Sequence, residues 1–444
     1  MTPACAAAAA GGGFGGDLGP FGGPPISLAL LTLVLSVAAT LGAGLLARRY
    51  RRRPRRLAAP ARGRASTTAR KPPRRRIWQL ARMGAAFTAI NVARGFIRRL
   101  LRPQYLWVVY PGTEQDKRHY FPERVERLLR PLYSTGLMRF GRFWGLMVAG
   151  KATAESLDDS PERLRELLDS ARRDYPRVQV IALAGRLPSL AFKAGVPLEP
   201  PFTPGDKGTL CTMVMTARQQ ARLLDKPSRE VSVAVVGGAG FIGRRLVNEL
   251  KREFRLVICL DPRFAERREE ANVLFSGEPQ DIAAAQAVLV LTSRGEQAAS
   301  VIPFLSPGTV VADDTHPEMP RSVRNRMQQA GALVLKATMG DARFRIVPRV
   351  PFFRSDDIPG CVLEALVILE HGRGVLVSQK AFNDAATALG FGVRLAPHVS
   401  EGLALADLPR DGPNRVRWIQ AHRKAVVSEP TTKARATRRR AQGL

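Results

Sequence analysis

An α/β fold organised around a doubly wound parallel sheet is what this 444-residue sequence predicts, and three observations predict it. Residues 231–236 (VSVAVV) read as a short buried strand, followed at once by Gly237, Gly238, Gly240 and Gly243. Helical periodicity takes over at 244–253, and a second apolar run, 255–260 (RLVICL), ends in Asp261. The pattern then repeats: 287–292 (AVLVLT), 309–313 (TVVAD) and 332–336 (ALVLK) are strand-like, each after a stretch that suits a helix. Parallel strands need a crossover, and a helix is the crossover that also covers the sheet face. The predicted architecture is a Rossmann-type domain over 229–345 and a flanking α/β substrate domain over 103–228, preceded by one transmembrane helix.

The ends of the chain differ from its middle. Residues 1–25 are rich in Ala and Gly with several prolines, and no packed structure is expected there. Residues 26–47 carry no charge, and their 22 positions suffice to span a bilayer's hydrocarbon core. Arginines at 48, 49, 51, 52, 53, 55 and 56 follow. A secretory signal has its positive charge before the apolar run, the reverse of this order. The positive-inside bias then puts the amino terminus outside and the rest of the chain in the cytosol.

From 48 to 102 there are 19 Lys and Arg and no acid. Within this linker Ile77, Leu80, Met83, Phe87, Ile90, Ile97 and Leu101 recur at mostly helical spacing, with Arg82, Arg94, Arg98, Arg99 and Arg102 between them. Such a basic amphipathic helix suits a surface of anionic membrane lipid; the alternative is a helix docked on its own domain. Nucleic acid is not an expected partner, because the arginine runs interleave only one aromatic, Tyr50, and adjoin the predicted span. The tail, 411–444, is basic as well. Of the net charge of +31, the linker contributes +19, residues 423–444 contribute +6 and Asp17 takes one away, which leaves +7 for residues 103–422. The body is thus only mildly basic. Cys5, Cys211, Cys259 and Cys361 show no metal-ligand spacing, so neither a metal site nor a disulfide framework is expected.

The glycine pattern has a physical purpose. The chain must turn sharply after the strand, approach a pyrophosphate closely and pack helix against strand, while the helix amino terminus offers free N–H groups to the phosphates. Gly237, Gly238, Gly240, Phe241, Ile242 and Gly243 form the predicted cradle. Asp261 lies 18 residues after the last glycine, where a carboxylate accepts from the adenine ribose hydroxyls. It favours NADH over NADPH, whereas Arg263 offers a partner for a 2′-phosphate. Thr292 and Ser293, at a strand's end, belong near the nicotinamide ribose.

After the sheet comes the segment DDIPGCVLEALVILEHG, residues 356–372. Asp357 reads as a helix cap, Pro359 as first-turn and Gly372 as terminator, so Cys361 sits in the first turn. There the positive end of the helix dipole favours thiolate, which makes a cysteine nucleophilic. Opposite a nicotinamide, such a sulfur would take an acyl group from a thioester, and the acyl-enzyme would leave as an aldehyde after hydride transfer. The competing reading is a small buried hydrophobe. Cys211 and Cys259 read as core.

Residues 177–398, half the chain, resemble the aldehyde-forming long-chain acyl-acyl-carrier-protein reductases of cyanobacterial type. The resemblance is carried by VQVIALAG at 178–185, TPGDKGT at 203–209, the glycine loop, the strand at 333–336 and Cys-x-x-Glu-Ala at 361–365. It implies that Cys361 holds the acyl group, that Glu364 matches an acid beside it and that Lys336 matches a lysine on the last strand. Residues 105–174 match the family's amino-terminal substrate domain more weakly. It implies an acyl carrier protein or acyl-CoA as partner. The family resembles NADPH users, with basic residues where this chain has Asp261, and it lacks the membrane span.

His316, in DDTHP at 313–317, lies at a strand's carboxyl end and is a candidate acid for a departing hemithioacetal oxygen. Residues 346–410 form the predicted carboxy-terminal segment around Cys361. The expected function is a membrane-anchored NAD(P)H-dependent reductase of fatty acyl thioesters. The alternatives are a dehydrogenase of a small alcohol or amino acid with Lys336 or His316 as acid/base, and a nucleotide-binding scaffold without turnover.

Overall fold

The structure, a computed structural model, describes residues 101–112, 131–315, 318–348 and 354–396, together with Asn91, Glu114 and Lys117. The predicted leader, membrane helix and basic tail, and His316, lie outside these residues, as does nearly all of the basic linker. Among the described residues no helix is long and apolar enough to cross a membrane. Asn91, in the predicted amphipathic helix, is held by the body: its Nδ2 donates to Ser134 O at 2.7 Å and its Oδ1 accepts from Ser134 N at 2.9 Å.

The chain first builds β1 (Tyr105–Val109), β2 (Leu132–Phe140) and β3 (Phe143–Gly150), then helices α1 (Ala154–Asp158) and α2 (Pro161–Asp174). Strand β4 (Val180–Leu183), helix α3 (Leu187–Lys193) and the short β5 (Phe202–Thr203) follow. Strand β1 is parallel to both β3 and β4, and its residues 105–108 are buried, as expected of a central parallel strand covered on both faces. Thr153 and Ser160 cap α1 and α2 through their side-chain oxygens, satisfying first-turn N–H groups. Leu164, Leu167, Leu168 and Ala171 of α2 close the core below this sheet.

Helix α4 (Asp206–Leu223) carries the chain from the first sheet to the second. Its Leu210, Met213, Val214, Ala217 and Ala221 enter the core of the second sheet. Gln220, fully buried, donates from Nε2 to Val288 O and Val310 O at 3.0 and 2.9 Å.

The second sheet takes β6 (Ser232–Val236), β7 (Leu256–Leu260), β8 (Arg268–Glu270), β9 (Val273–Ser276), β10 (Ala287–Val290), β11 (Val310–Asp313) and β12 (Leu333–Gly340). Its parallel part runs β9-β7-β6-β10-β11-β12, which, counted from β6, is the Rossmann order 3-2-1-4-5-6. The crossovers depart from expectation. Only α5 (Phe241–Leu250) and α6 (Arg321–Gln329) are α-helical; the hairpin β8–β9 and 3-10 turns at Pro279–Ala284 and Gly295–Phe304 replace the others. Pro262 interrupts the connection after β7, Gly277 and Pro279 the one after β9, and Pro303 the one after β10, and proline inside a helix removes a hydrogen bond and clashes with the preceding turn.

The carboxy-terminal part belongs to both sheets. Strand β13 (Phe344–Val347) returns to the first sheet and pairs with β2, so the predicted boundary at 345 falls inside a strand. Strands β14 (Asp357–Ile358) and β15 (Gly392–Ala396) join β12 of the second sheet. Helix α7 (Gly360–His371) buries nearly its whole length against α4 and the first sheet, and α8 (Gln379–Ala388) packs outside it. Asp357, predicted to cap α7, instead lies in β14 and pairs with Arg394 Nη1 at 3.0 Å; Pro359 takes the cap position.

Helices α4 and α7 meet at backbone distance. A Cβ on Gly208 would lie 2.1 Å from Gly360 O, and one on Gly360 would lie 2.5 Å from Thr209 Cα. The wholly buried Glu364 closes the contact. It accepts from Gly205 N at 3.1 Å, from Gly208 N at 3.0 Å and from the Thr203 hydroxyl. Burial pushes the Glu364 carboxyl above its ordinary range; the Thr203 hydroxyl counters, Asp206 pushes it higher still, and the two amides counter in turn. Gly208→Ala should therefore wedge the helices apart and cost about 1–3 kcal/mol, the usual penalty of overpacking. A lowered urea midpoint with an unchanged slope would record it, and a midpoint equal to the parent's would refute the close contact.

Candidate functional site

The loop after β6 is built by clearance. Gly237 adopts φ +89°, and a Cβ there would press on the backbone of Leu291 at 3.0 Å. A Cβ on Gly238 would sit 2.5 Å from Cys259 Sγ, and one on Gly243 would sit 2.5 Å from Gly237 O. Three positions therefore exclude side chains for three separate reasons: backbone conformation, packing on β7 and packing of helix on loop. Gly240 caps α5 without a side-chain bond to its first-turn N–H groups. The amide end of α5 thus has the character of an anion site.

Asp261 stands at the end of β7, buried and fully engaged. It accepts from Ala239 N at 3.1 Å and Arg263 N at 3.1 Å, and Arg263 grips both oxygens from Nε and Nη2 at 2.8 Å each. Burial raises the carboxyl, but Arg263 and the Ala239 amide outweigh it and hold the group below its ordinary range. A ribose hydroxyl would have to share or displace Arg263. Thr292 and Ser293 line the same cleft, beyond the end of β10; Thr292 Oγ1 donates to Arg294 O at 2.9 Å.

Cys361 lies in the first turn of α7, as expected, and lines the cleft. Gly205, φ +74°, lies against it, so that a Cβ on Gly205 would be 2.5 Å from Cys361 Cβ. The electrostatics run against expectation. Burial pushes the Cys361 thiol up to about 12, despite the nearby Trp107 side chain and the Val362 amide, which favour thiolate; nearby Glu364 raises it further. The helix-end effect is present but smaller than desolvation, since a charged sulfur loses its water here and gains only weak donors. Glu364 itself is committed to Gly205 and Gly208 and serves to hold α4 against α7.

Lys336 lines the cleft from β12, in register with Asp313 of β11. Its Nζ pairs with Glu318 Oε1 at 3.1 Å, and Arg324 Nη1 lies 3.8 Å from the other Glu318 oxygen. Asp314 also lines the cleft, and its carboxyl is pushed up to about 7 by burial and by Asp313, with Lys336 restraining it. The sequence reading passed over Asp314 although it stands in the DDTHP segment; two adjacent acids at a strand's carboxyl end were the signal. Trp107, far away in the chain, carried no local sign of its contact with Cys361.

The cleft encloses about 940 Å³ between the two sheets, a volume near the top of the range for small-molecule and cofactor sites. Every predicted cofactor residue except Gly238 lines it, together with Cys361 and Lys336. Gly238 is instead packed over Cys259. The cradle fits a dinucleotide: the added Cβ on Gly240 would meet only Gly237 O at 3.1 Å and Arg263 Nη2 at 3.9 Å, leaving the loop's outer side open.

No protein-family model matches the sequence, and no curated protein is similar to it. Among solved structures, the chain is similar to malic enzyme from Pyrococcus horikoshii (14% identity, 86% of this chain and 96% of that one, TM-score 0.33). It is similar also to a chorismate mutase/shikimate 5-dehydrogenase fusion from Clostridium acetobutylicum (10%, 65% and 97%, 0.31). A third is the D-lactate dehydrogenase with NAD+ from Lactobacillus jensenii (8%, 64% and 94%, 0.27). Scores this low carry no weight for the chemistry of this chain.

Gly243→Ala should push the loop out of its conformation and weaken NADH and NADPH binding by about tenfold, equal to 1.4 kcal/mol. Quenching of tryptophan fluorescence in a titration reads it; undiminished affinity would mean that this loop holds no dinucleotide.

Proposed function

We propose that this chain is a nicotinamide-dinucleotide-dependent reductase in which Cys361 takes an acyl group from a carrier thioester and releases it as an aldehyde. The observation that carries this reading is that Cys361 opens onto the same cleft as the Gly237–Gly243 loop. Gly237, Gly240 and Gly243 with the amino end of α5 would hold the pyrophosphate, Asp261 the adenine ribose, and Thr292 and Ser293 the nicotinamide ribose. The dinucleotide, when bound, would supply a hydride to an acyl carbon.

The protein's own part begins at sulfur. The Cys361 sulfur attacks the thioester carbonyl, the carrier sulfur leaves, and the proton lost by Cys361 goes to that departing thiolate. The exchange is thiol for thiol, so no proton is gained or lost overall. A resting thiol held near 12 by burial stays protonated at neutral pH, which limits reaction with other electrophiles until a substrate occupies the cleft. Trp107 and the Val362 amide are the groups that stabilise charge on the sulfur during attack. Acyl carrier protein or acyl-CoA are the carriers in this reading. A membrane anchor at 26–47, with the catalytic part in the cytosol and a basic helix on anionic lipid, would release a lipophilic aldehyde beside the bilayer.

One observation favours a second reading. Asp314 and Lys336 both line the cleft, and the Lys336 charge acts on the Asp314 carboxyl, which suits a dehydrogenase of a small alcohol or amino acid without a covalent intermediate. Mass spectrometry separates the two. Full-length protein in detergent, incubated with palmitoyl-coenzyme A and no reductant, should gain one acyl group on Cys361, lose it when NADH or NADPH is added, and gain none as Cys361→Ala. Absence of the adduct on protein that binds dinucleotide would favour the second reading.

A further inference from the structure

We propose that Asp314 is the proton donor of the cleft, the group that protonates the substrate oxygen as the carbonyl carbon is reduced. The proposal rests on the reductase reading above.

Placement comes first. Asp314 follows the last residue of β11, at the carboxyl edge of the sheet, where open α/β sheets take their ligands. Its N–H donates to Val290 O at 3.2 Å, which fixes the residue against the end of β10. Among the described residues on this part of the wall, Asp313, Lys336 and Glu318 are already committed. Asp313 accepts from Thr315 N at 2.9 Å, Thr315 Oγ1 at 2.7 Å and Met319 N at 3.0 Å. Lys336 is paired with Glu318, and Glu318 is shared with Arg324. A buried carboxyl beside a second acid holds its proton more tightly than a free one.

The surrounding charges can be named. Asp313 faces Asp314 from its own strand and Lys336 from β12. Behind Lys336 stand Glu318, Arg324 of α6 and Asp357 of β14, and Cys361 of α7 lines the same cleft. Burial and Asp313 push the carboxyl up to about 7, and Lys336 keeps it from going higher. A proton is therefore present below neutrality and lost as pH rises.

The step balances. Hydride reaches the carbonyl carbon of the Cys361 thioester, the C=O π pair moves to oxygen, and that oxygen takes the Asp314 proton. The product is a thiohemiacetal on sulfur and an Asp314 carboxylate. On collapse the hydroxyl proton returns to Asp314, the carbon–sulfur pair leaves with sulfur, and one solvent proton restores the thiol. One reduced dinucleotide is oxidised for each aldehyde released.

The test uses full-length wild type and Asp314→Asn in detergent, each first acylated with palmitoyl-coenzyme A and then mixed with NADH or NADPH across a pH series. Asp314→Asn should bind dinucleotide and acylate Cys361 as wild type does, yet discharge the acyl-enzyme on the order of 100-fold more slowly. Wild-type discharge should fall about tenfold per pH unit above about 7, and Asp314→Asn should lose this dependence. An infrared band of a protonated carboxyl, titrating in the same range, should be missing from Asp314→Asn. Equal discharge rates with the same pH profile in both proteins would overturn the proposal alone, as would a wild-type rate that does not fall above neutrality. Failure of wild type to form any acyl-enzyme would instead overturn the reductase reading, and Asp314 with it.

Discussion

The contact between α4 and α7 is the constraint on which the rest of the site depends. Gly205, Gly208 and Gly360 let two helices approach at backbone distance, and the Glu364 carboxylate bridges the loop and the first turn of α4 from inside α7. A buried carboxyl is tolerated only when hydrogen bonds replace its water, and here two amides and a hydroxyl do so. The same contact sets Cys361 against Gly205. Because α4 continues into the core of the second sheet, and Gln220 ties it to β10 and β11, the contact also fixes the first sheet relative to the glycine loop. Arg245 of α5 adds a further tie, pairing with Asp206 at the start of α4.

Burial governs the site's electrostatics, with opposite outcomes for different groups. At Asp261 it is overcome, because a bidentate arginine and an amide point at the same carboxylate. At Cys361 it wins, because the sulfur has only weak donors. At Asp314 it is reinforced by an adjacent acid and checked by a lysine. These three outcomes follow from the number and charge of partners within reach, since desolvation penalises the charged form in every case. The resulting wall holds one proton near neutrality at Asp314 and keeps the thiol protonated at rest.

Much of this was legible in the sequence. The glycine loop, the acid closing β7 and the apolar runs that became β6, β7, β10, β11 and β12 are local signals, read from spacing and from residues that admit unusual backbone or close packing. Strand β9 was missed because its apolar run, residues 273–275, is short and its neighbour β8 is charged and exposed. Helices expected between β7 and β11 were overruled by prolines and a glycine. The separate carboxy-terminal segment dissolved because β13, β14 and β15 return to two different sheets.

By itself, then, the sequence determined the doubly wound sheet, the phosphate cradle and the position of Cys361 in a helical first turn, since each is encoded within a few consecutive residues. Only the tertiary structure decided which groups face one another. Trp107 meets Cys361, Glu364 turns to Gly205 and Gly208 rather than to the cleft, and Asp314 stands beside Lys336. The physical reason is that ionisation follows from burial and from partners brought together across long sequence separations. A helix-end motif predicts a thiolate, and the surrounding core, assembled from elements far apart in the chain, reverses that preference.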